Sequence, residues 1–496
     1  MVFDPDAAYQ ALSARDARFD GRLFVGVTST GVYCRPICRV RTPMRRNCRF
    51  FETPAQAEAA SFRPCLKCRP EIAPGPGLPW TVMDASRTLA LQAAQELDAQ
   101  AASGDAASLA ALADKLGVSD RHLRRIFATE HGVTPMQYLQ TRRLLLAKQL
   151  LTDTALPVAQ IALASGFRSL RRFNAAFADG YRMSPSRLRG AVDSDDEAPG
   201  RDAGALDAVE VLLAYRAPYD RTALLRFIAQ RAIPGIEQVD GLTIRRTLRA
   251  GSVAPQAGWI EARFEPAADR VRIRFAPSLA PASARVVAGA RRWLDLDAAP
   301  QAIDAALAAL PGPPGIRLPG SLDAFELAVR AVLGQQVTVA AARTLALRTV
   351  ERFGTPVQTP WPDLAREFPA PAALGAAALE DVASLGIVRT RANALIALAR
   401  DWPRLAPLFG AAAAPQELII ALCALPGFGP WTAHYIAMRA RGWPDAFPPN
   451  DVAVLKAMQQ LFGTRTQREA DAHAQAWQPW RAYAVLRLWN SLEKTP

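Results

Sequence analysis

The spacing of hydrophobic residues in the second quarter of the chain predicts two similar helical units in tandem. An apolar stripe with helical periodicity runs through Leu109–Leu116 and ends at Gly117, and Ser119 is a suitable N-cap for the next helix. The arrangement recurs after the stripe Val158–Ala164. Two short helices joined by a turn, the second one basic, are typical of a helix-turn-helix, although an ordinary basic bundle has the same pattern. The candidate DNA-binding side chains lie on or next to the second helix of each unit: Arg121, Arg124, Arg125, Arg168, Arg171 and Arg172.

Hydrophobic and polar residues alternate in the region 207–310 and predict strands that are buried on one face. A helix over Arg221–Arg231 is expected to lie on one face of this sheet. We therefore predict an antiparallel sheet with a helix. We find no catalytic residues in this region, so its expected role is that of a scaffold. The predicted strands are Val209–Leu213, Leu242–Thr247, Trp259–Phe264 and Val271–Phe275.

Helical patterns dominate the last third of the chain, where the segment Leu425–Ala433 predicts a helix, a tight turn and a second helix. Gly427 ends the first helix, Gly429 permits a backbone geometry that a side chain would obstruct, and Pro430 suits the first turn of the second helix. Exposed amides at a helix N-terminus can bind a phosphate, but an ordinary helical hairpin is the alternative. The candidate phosphate-binding residues are Gly427, Phe428 and Gly429.

The composition favours a multidomain protein with a polyanionic partner. The chain has 496 residues, 50% of them hydrophobic, which is enough for about three or four domains with buried cores. The formal net charge of +13 and the pI near 10.0 suit nucleic acid or an anionic membrane surface. We find no apolar run of transmembrane length and no signal peptide. We therefore expect a cytoplasmic protein whose partner is DNA and not a membrane.

The cysteines are concentrated near the start of the chain in a pattern that predicts a metal site. Cys34 with Cys38 and Cys65 with Cys68 form two close pairs. In a reducing compartment such pairs favour metal over disulfides, and zinc takes four thiolates in a tetrahedron. Buried thiols without a metal are the alternative. Cys48 lies between the pairs and belongs to neither, so we expect it to be a core thiol.

The sequence motifs around these cysteines are more specific than the spacing of the cysteines alone. The phrases Gly31-Val-Tyr-Cys34-Arg-Pro-Ile-Cys38-Arg and Phe62-Arg-Pro-Cys65-Leu-Lys-Cys68-Arg-Pro closely resemble the N-terminal domain of the bacterial adaptive-response Ada family. The resemblance implies that the four cysteines bind one zinc ion, which is structural and activates the thiolates. It also implies that Cys34 irreversibly accepts a methyl group from a methylphosphotriester in DNA. The Pro-Cys-His-Arg phrase of an alkylguanine methyltransferase does not occur in the sequence, and we do not predict that activity.

The two helical units together resemble the AraC-type regulator domain. The resemblance includes the phrases Ile161-Ala-Leu-Ala-Ser-Gly-Phe167 and Met183-Ser-Pro-Ser186. Ada-family proteins carry such a domain behind the zinc module, so the order of the segments supports both resemblances. They imply a transcriptional regulator that binds promoter DNA and has RNA polymerase as a further partner. We expect it to be a monomer.

The turn segment, together with Phe447-Pro-Pro-Asn-Asp451, resembles the helix-hairpin-helix and catalytic aspartate of AlkA-type DNA base-excision glycosylases. The resemblance implies that Asp451 supports hydrolytic release of alkylated bases such as 3-methyladenine. Because Trp431 stands where bifunctional relatives place a Schiff-base lysine, we expect no lyase activity. Asp451 could instead be an ordinary helix cap, although Asn450 could fill that role. The resemblance implies a base pocket formed by Trp431, Tyr435 and Trp489. It also implies that the side chain of Gln336 inserts into the DNA duplex as a wedge.

The combined prediction is a multidomain α+β fusion that senses DNA methylation, regulates transcription and excises alkylated bases from double-stranded DNA. The alternative is a methylation-sensing transcription factor whose glycosylase-like domain only binds DNA. The predicted domains are an Ada-like zinc domain over 1–75, an AraC-type tandem helix-turn-helix domain over 80–190, a linker over 191–206, a sheet domain over 207–310 and an all-α helix-hairpin-helix glycosylase domain over 311–496.

Overall fold

A computed structural model describes residues 4–75, 85–103, 108–194, 208–250, 255–410 and 413–492. These residues form two compact units. The first unit contains Met1–Ala217, Ala250–Gln256 and Phe264–Ala288, and the second contains Pro218–Arg249, Ala257–Arg263 and Gly289–Pro496. The residues of the predicted sheet domain are therefore distributed over both units, and the predicted domain boundaries remain predictions. Within the described ranges, no helix is long and apolar enough to cross a bilayer.

The first unit begins with a small mixed sheet that the sequence pattern did not predict. Strand β1 pairs with β2 and β3 in antiparallel fashion, and β2 pairs with β4 in parallel, giving the order β3-β1-β2-β4. Cys34 is the last residue of β2 and Cys65 directly follows β4, so this sheet brings the two cysteine pairs together. The elements are α1 (Pro5–Ser13), β1 (Phe24–Val27), β2 (Val32–Cys34), β3 (Cys48–Phe51), α2 (Pro54–Ala59) and β4 (Arg63–Pro64).

The tandem helical units follow in the same compact unit, as the apolar stripes predicted. Ser119 caps the second helix of the first helix-turn-helix by accepting the His122 N–H. Ser169 caps the second helix of the other helix-turn-helix by accepting the Arg172 N–H. The predicted linker over 191–206 begins inside the last of these helices, and its remainder lies outside the described residues. The helices are α3 (Ala85–Ser103), α4 (Leu109–Lys115), α5 (Asp120–His131), α6 (Pro135–Asp153), α7 (Val158–Ala164), α8 (Leu170–Tyr181) and α9 (Pro185–Ser194).

All four strands predicted between 207 and 310 are present, and one further strand, β6, was missed. In the first unit β5 pairs with β9 in antiparallel register, from Val209 opposite Phe275 to Ala214 opposite Arg270. In the second unit β6 pairs with β7 in antiparallel fashion, and β8 is the other neighbour of β7. The elements are β5 (Val209–Ala214), α10 (Arg221–Arg231), β6 (Glu237–Asp240), β7 (Thr243–Ala250), β8 (Gln256–Glu265) and β9 (Arg270–Phe275).

The rest of the second unit is helical and is built around one buried helix, α13, which packs against α17 and α19. Asp323 caps α13 by accepting the N–H groups of Phe325 and Glu326. The Glu326 carboxylate forms buried ion pairs with Arg246 and Arg330. Helix α11 (Ser283–Trp293) begins in the first unit and belongs to the second from Gly289 onwards. The other helices are α12 (Pro300–Ala306), α13 (Ala324–Leu333), α14 (Val339–Phe353), α15 (Pro371–Gly375), α16 (Leu379–Ala383), α17 (Arg389–Leu405), α18 (Pro415–Cys423), α19 (Pro430–Arg439), α20 (Val452–Phe462), α21 (Gln467–Ala474) and α22 (Arg481–Leu492).

Candidate functional site

The tight turn between α18 and α19 depends on a different glycine from the one that the sequence suggested. Gly427 has a positive φ of 77°, and an added Cβ would lie 2.9 Å from the Cβ of Ala394. Gly429 has a φ of −97°, and an added Cβ would meet no atom within 4 Å. The prediction that Gly429 needs to be glycine is therefore wrong, and Gly427 carries that requirement.

The turn also changes the set of candidate phosphate-binding amides. The Phe428 N–H donates to the Leu425 carbonyl at 3.2 Å, and the Phe428 side chain is buried. Its amide is therefore engaged inside the turn, and its role as a phosphate donor stays a prediction. The amides of Gly427 and Gly429 have no hydrogen-bond partner within the described part of the chain, and they precede the first turn of α19.

Asp451 is the N-cap of α20 and is held by three N–H donors. Its Oδ1 accepts the Val454 N–H at 2.9 Å and the Trp489 Nε1–H at 3.1 Å, and its Oδ2 accepts the Trp431 Nε1–H at 2.7 Å. The residue is 6% exposed. The alternative that Asp451 is a helix cap is therefore confirmed, and Asn450, which the sequence also offered for that role, does not cap this helix. Both oxygens therefore accept hydrogen bonds, and the carboxylate lies at the N-terminal end of α20, where the helix dipole is positive.

The aromatic residues predicted to form a pocket stand beside this carboxylate. The rings of Trp431 and Tyr435 are stacked, with centroids 5.3 Å apart and planes 8° from parallel. The Trp489 ring lies 6.3 Å from that of Tyr435. Together with Asp451 they line a cleft of about 1100 Å³. The structure thus brings residues of α19, α22 and the N-cap of α20 together in one cleft.

The cleft also contains residues that the sequence did not suggest. Phe227 and Arg231 of α10 line it, together with Arg439 at the end of α19. Arg439 Nη1 donates to the Tyr435 hydroxyl at 2.7 Å, and its guanidinium lies 4.7 Å from the centre of the Phe227 ring. Burial acts to raise the pKa of Tyr435, but the charges of Arg439 and Arg231 outweigh burial and lower that pKa. The region of α10 therefore contributes side chains to the cleft, while its predicted role as a scaffold stays a prediction.

The predicted wedge residue lies on the loop between α13 and α14 at the edge of the cleft. Gln336 is exposed and has a positive φ of 53°. Its neighbour Gln335 donates from Nε2 to the Gly427 carbonyl and to Thr432 Oγ1, both at 3.0 Å. The side chain of Gln335 therefore ties the wedge loop to the tight turn.

In the first unit, the sulfur atoms of Cys34, Cys38, Cys65 and Cys68 all lie within 4.8 Å of one another. Such a set of four thiols fits the tetrahedral coordination that zinc takes in structural sites. Hydrogen bonds within the cluster, that from Cys34 first, lower the pKa of Cys65. Cys48 is outside this thiolate cluster, and its Sγ donates to the Met44 carbonyl at 3.4 Å.

The six arginines predicted to bind DNA are all exposed and lie on or next to α5 and α8. Arg124 forms an ion pair with Asp120 on the same helix at 3.0 Å. Two exposed basic helices, each second in its helix-turn-helix unit, are arranged as in proteins that read DNA grooves.

The fold and these sites define a class of protein. A helix-hairpin-helix turn, followed by an aspartate that caps the next helix inside an aromatic cleft, is the arrangement of a base-excision DNA repair protein. In this chain it is combined with a cluster of four cysteines and a helix-turn-helix domain. Four family models match the chain: the metal binding domain of Ada over residues 7–71, a helix-turn-helix domain over 112–191, the AlkA N-terminal domain over 210–323, and the HhH-GPD superfamily base excision DNA repair protein over 329–482.

The chain belongs to the family of the bifunctional transcriptional activator/DNA repair enzymes AlkA. It is 37% identical to the "Probable bifunctional transcriptional activator/DNA repair enzyme AlkA" of Mycobacterium tuberculosis, over 99% of this chain and 97% of the relative. It is 35% identical to DNA-3-methyladenine glycosylase 2 of Escherichia coli, over 56% of this chain and 95% of that protein. It is also 29% identical to the bifunctional transcriptional activator/DNA repair enzyme AdaA of Bacillus subtilis, over 37% of this chain and 82% of that protein. These relatives and the family models support a DNA glycosylase joined to a zinc-binding domain and a DNA-binding regulator domain.

Proposed function

We propose that the second unit is a hydrolytic DNA glycosylase that releases alkylated purines such as 3-methyladenine, with Asp451 as the catalytic residue. The observation that carries this proposal is the buried Asp451 carboxylate, fixed by two indole N–H groups inside an aromatic cleft. Cleavage of the glycosidic bond builds positive charge on the sugar, which a fixed carboxylate stabilises while it orients a water molecule. Because residue 431 is tryptophan and not lysine, no Schiff base forms and strand cleavage is not expected.

The cleft supports recognition of a flipped, positively charged base. Trp431 and Trp489 both donate to the Asp451 carboxylate, which makes their rings richer in electrons and better partners for a cationic purine. The damaged nucleotide is flipped out of the duplex to reach them. Gln336 fills the gap that it leaves, and the free amides of Gly427 and Gly429 bind a backbone phosphate.

The substitution Asp451→Asn tests the glycosylase proposal. Asparagine still accepts the Val454 N–H and preserves the cap, but it removes the negative charge. We expect base release from a duplex containing 3-methyladenine to fall by roughly 100-fold or more. Because the asparagine amide group presents N–H donors where Oδ2 accepts the Trp431 Nε1–H, we also expect a loss of stability of about 1–3 kcal/mol, which thermal unfolding measures separately. Asp471→Asn, at an exposed aspartate of α21, is the matched control. Release by Asp451→Asn at the wild-type rate would favour the alternative, in which this region only binds DNA.

We propose further that the thiolate cluster binds a single zinc ion and that Cys34 takes a methyl group from a methylphosphotriester in DNA. When bound, zinc keeps the cysteines deprotonated. The Cys34 sulfur attacks the methyl carbon, the bond from that carbon to the phosphate oxygen breaks, and the phosphodiester leaves with the electron pair. The sulfur becomes a neutral thioether, so the cluster loses one negative charge and binding to the DNA backbone tightens.

Intact-mass measurement after incubation with methylphosphotriester DNA tests this transfer. We expect the wild type and Cys48→Ser to gain the mass of one methyl group and Cys34→Ser to gain none, because Cys48 lies outside the cluster. Absence of the added mass on the wild type would leave zinc with a structural role only and would overturn the proposal.

The regulator domain completes the proposed function. Its exposed arginines on α5 and α8 hold promoter DNA, RNA polymerase is the further partner, and the protein acts as a cytoplasmic monomer. Substitution of Arg171 by alanine is expected to weaken promoter binding. The slope of the logarithm of the affinity against the logarithm of the salt concentration should become less steep by about one.

The monomeric state is tested by light scattering. A measured mass at twice that of one chain would contradict it.

A further inference from the structure

Strand β5, at the start of the segment that matches the AlkA N-terminal domain, is held along its outer edge by the regulator domain within the first unit. Strand β5 pairs on one side with β9. On the other side, the Leu212 N–H donates to Asp153 Oδ2 at 3.3 Å, and the Leu212 carbonyl accepts from Gln149 Nε2 at 2.9 Å. Gln149 and Asp153 both belong to α6, the helix that joins the two helix-turn-helix units. Edge strands normally expose such groups to solvent, so these contacts bind β5 to the regulator in a fixed register.

Asp153 also contacts the residue that follows the last cysteine of the thiolate cluster. The Asp153 carboxylate forms an ion pair with Arg69 Nη2 at 2.6 Å, and Arg69 directly follows Cys68 in the chain. Both side chains are largely buried, with exposures of 15% for Arg69 and 6% for Asp153. A displacement of the Cys68 loop would therefore leave Asp153 without its cation in a buried position, which is costly.

A second series of hydrogen bonds connects Cys68 with Arg216, which lies two residues beyond the end of β5. Arg216 is 2% exposed, and it donates from Nε to the Asp20 carbonyl at 2.9 Å and from Nη2 to the Gly75 carbonyl. The Asp20 carboxylate accepts from Arg35 Nε at 2.8 Å. Arg35 in turn donates from Nη1 to the Cys68 carbonyl at 3.1 Å and from its backbone N–H to Cys68 Sγ at 3.3 Å.

We infer that residues 209–216 are an internal docking segment, bound by α6 and the cysteine module, that couples the order of the thiolate cluster to β5, the strand at the start of the AlkA N-terminal segment. Two chains of buried polar contacts begin in this segment and converge on Cys68 and its neighbour. Each contact satisfies a group that would be expensive to leave unpaired, so the cluster and the segment stabilise each other. The inference rests on the proposed metal site and is independent of methyl transfer and base release.

Hydrogen exchange of the full-length protein, with zinc bound and after chelation, tests this coupling. We expect chelation to accelerate exchange of the amides of residues 209–216 by roughly tenfold or more, together with those of β1 and β2. Exchange in α13 of the second unit serves as the internal reference and is expected not to change. Faster exchange in β1 and β2 with unchanged exchange in 209–216 would overturn the inference.

The substitution Arg216→Gln tests the same coupling from the other end. We expect fast exchange of residues 209–216 even with zinc bound, and a several-fold weaker affinity for zinc, since coupling is reciprocal. Arg263→Gln, at an exposed arginine of β8, is the matched control and should change neither. Zinc affinity and exchange in Arg216→Gln equal to those of the wild type would contradict the inference. If this variant does not fold, chelation of the wild type decides, and neither measurement depends on the proposed activities.

Discussion

At the scale of the residue, Asp451 has two roles that need not compete. It caps α20 through one oxygen, and both of its oxygens accept indole N–H groups from the cleft. A cap holds the side chain in one rotamer, and the two indoles fix the direction of the carboxylate towards the cleft. A catalytic group benefits from this rigidity, because orientation then costs nothing when the reaction begins.

Replacement of Trp431 by phenylalanine separates stacking from hydrogen bonding. The ring remains, but the shorter of the two indole contacts to Asp451, at 2.7 Å, is lost. We expect single-turnover base release to fall by roughly 10- to 100-fold, as for a lost hydrogen bond to a charged group, with little change in DNA affinity. Trp361→Phe, at a tryptophan that packs edge to face against Trp259 and does not line the cleft, is the control. Equal rates for Trp431→Phe and the wild type would show that the contact does not assist the reaction.

At the scale of the element, the conformation of the turn between α18 and α19 determines the position of the loop that carries Gln336 and of the proposed phosphate-binding amides. Gly427 supplies the left-handed residue of the turn, and its carbonyl accepts from Gln335 on the wedge loop. The turn therefore sets the position of the loop that carries Gln336. A change in the turn is expected to affect both the grip on the backbone and the insertion into the duplex.

The two glycines of the turn form a matched pair for testing this dependence. Gly427→Ala forces a left-handed alanine against Ala394, so we expect the free energy of unfolding to fall by about 1–3 kcal/mol and duplex affinity to weaken. Gly429→Ala meets open space at an ordinary φ and should keep near wild-type stability. Urea unfolding and duplex titration of both variants measure this difference. A Gly429→Ala variant as damaged as Gly427→Ala would contradict this account of the turn.

At the scale of the whole molecule, the cysteine module and the regulator share a polar contact inside the first unit. The carboxylate of Glu58 on α2 accepts the hydroxyl of Tyr33, the residue before Cys34, at 3.1 Å. Its other oxygen accepts the hydroxyl of Thr141 on α6 at 2.8 Å. Burial raises the pKa of Glu58 to about 7, despite the opposing hydrogen bonds and the charge of Lys148. This contact therefore titrates near neutral pH.

The raised pKa of Glu58 predicts a pH dependence of stability with a definite sign. Between the usual pKa of 4.5 and about 7, the unfolded chain has released a proton that the folded protein still holds. The free energy of unfolding therefore falls as pH rises through this window, by at most about 3 kcal/mol. Glu58→Gln removes this titration, so its stability relative to the wild type should increase from about pH 5 to about pH 8.

Urea unfolding of the full chain at both pH values measures that difference. Other groups near this contact, namely Tyr33, Tyr181, Glu71, Arg69, Lys148 and Asp153, are present in both proteins and cancel in the comparison. Glu351→Gln, at an exposed glutamate of α14 in the second unit, is the control. A difference between Glu58→Gln and the wild type that stays constant with pH would contradict the assigned titration.

The helices of the tandem units and the four longer strands could be predicted from the sequence because their signals are local. Apolar spacing located α4 and α7, and alternation located β5 and β9. The short strands β1 to β4 carry too few residues for a pattern, so they were missed even though they assemble the cysteines. The error over Gly429 has a similar cause, since two glycines in one turn look alike until φ and the neighbouring atoms are known.

The sequence by itself determined the chemistry of this protein: four paired cysteines, two basic helices, and an aspartate behind a glycine-containing turn. These are properties of residue type and spacing, which persist in any conformation. Only the tertiary structure decided which groups meet. It placed Phe227 and Arg439 in the cleft, gave the cap of α20 to Asp451 instead of Asn450, and joined β5 to α6 and to the cysteine module. Such contacts join residues far apart in the chain, and burial and hydrogen-bond satisfaction select them only when the whole core is packed.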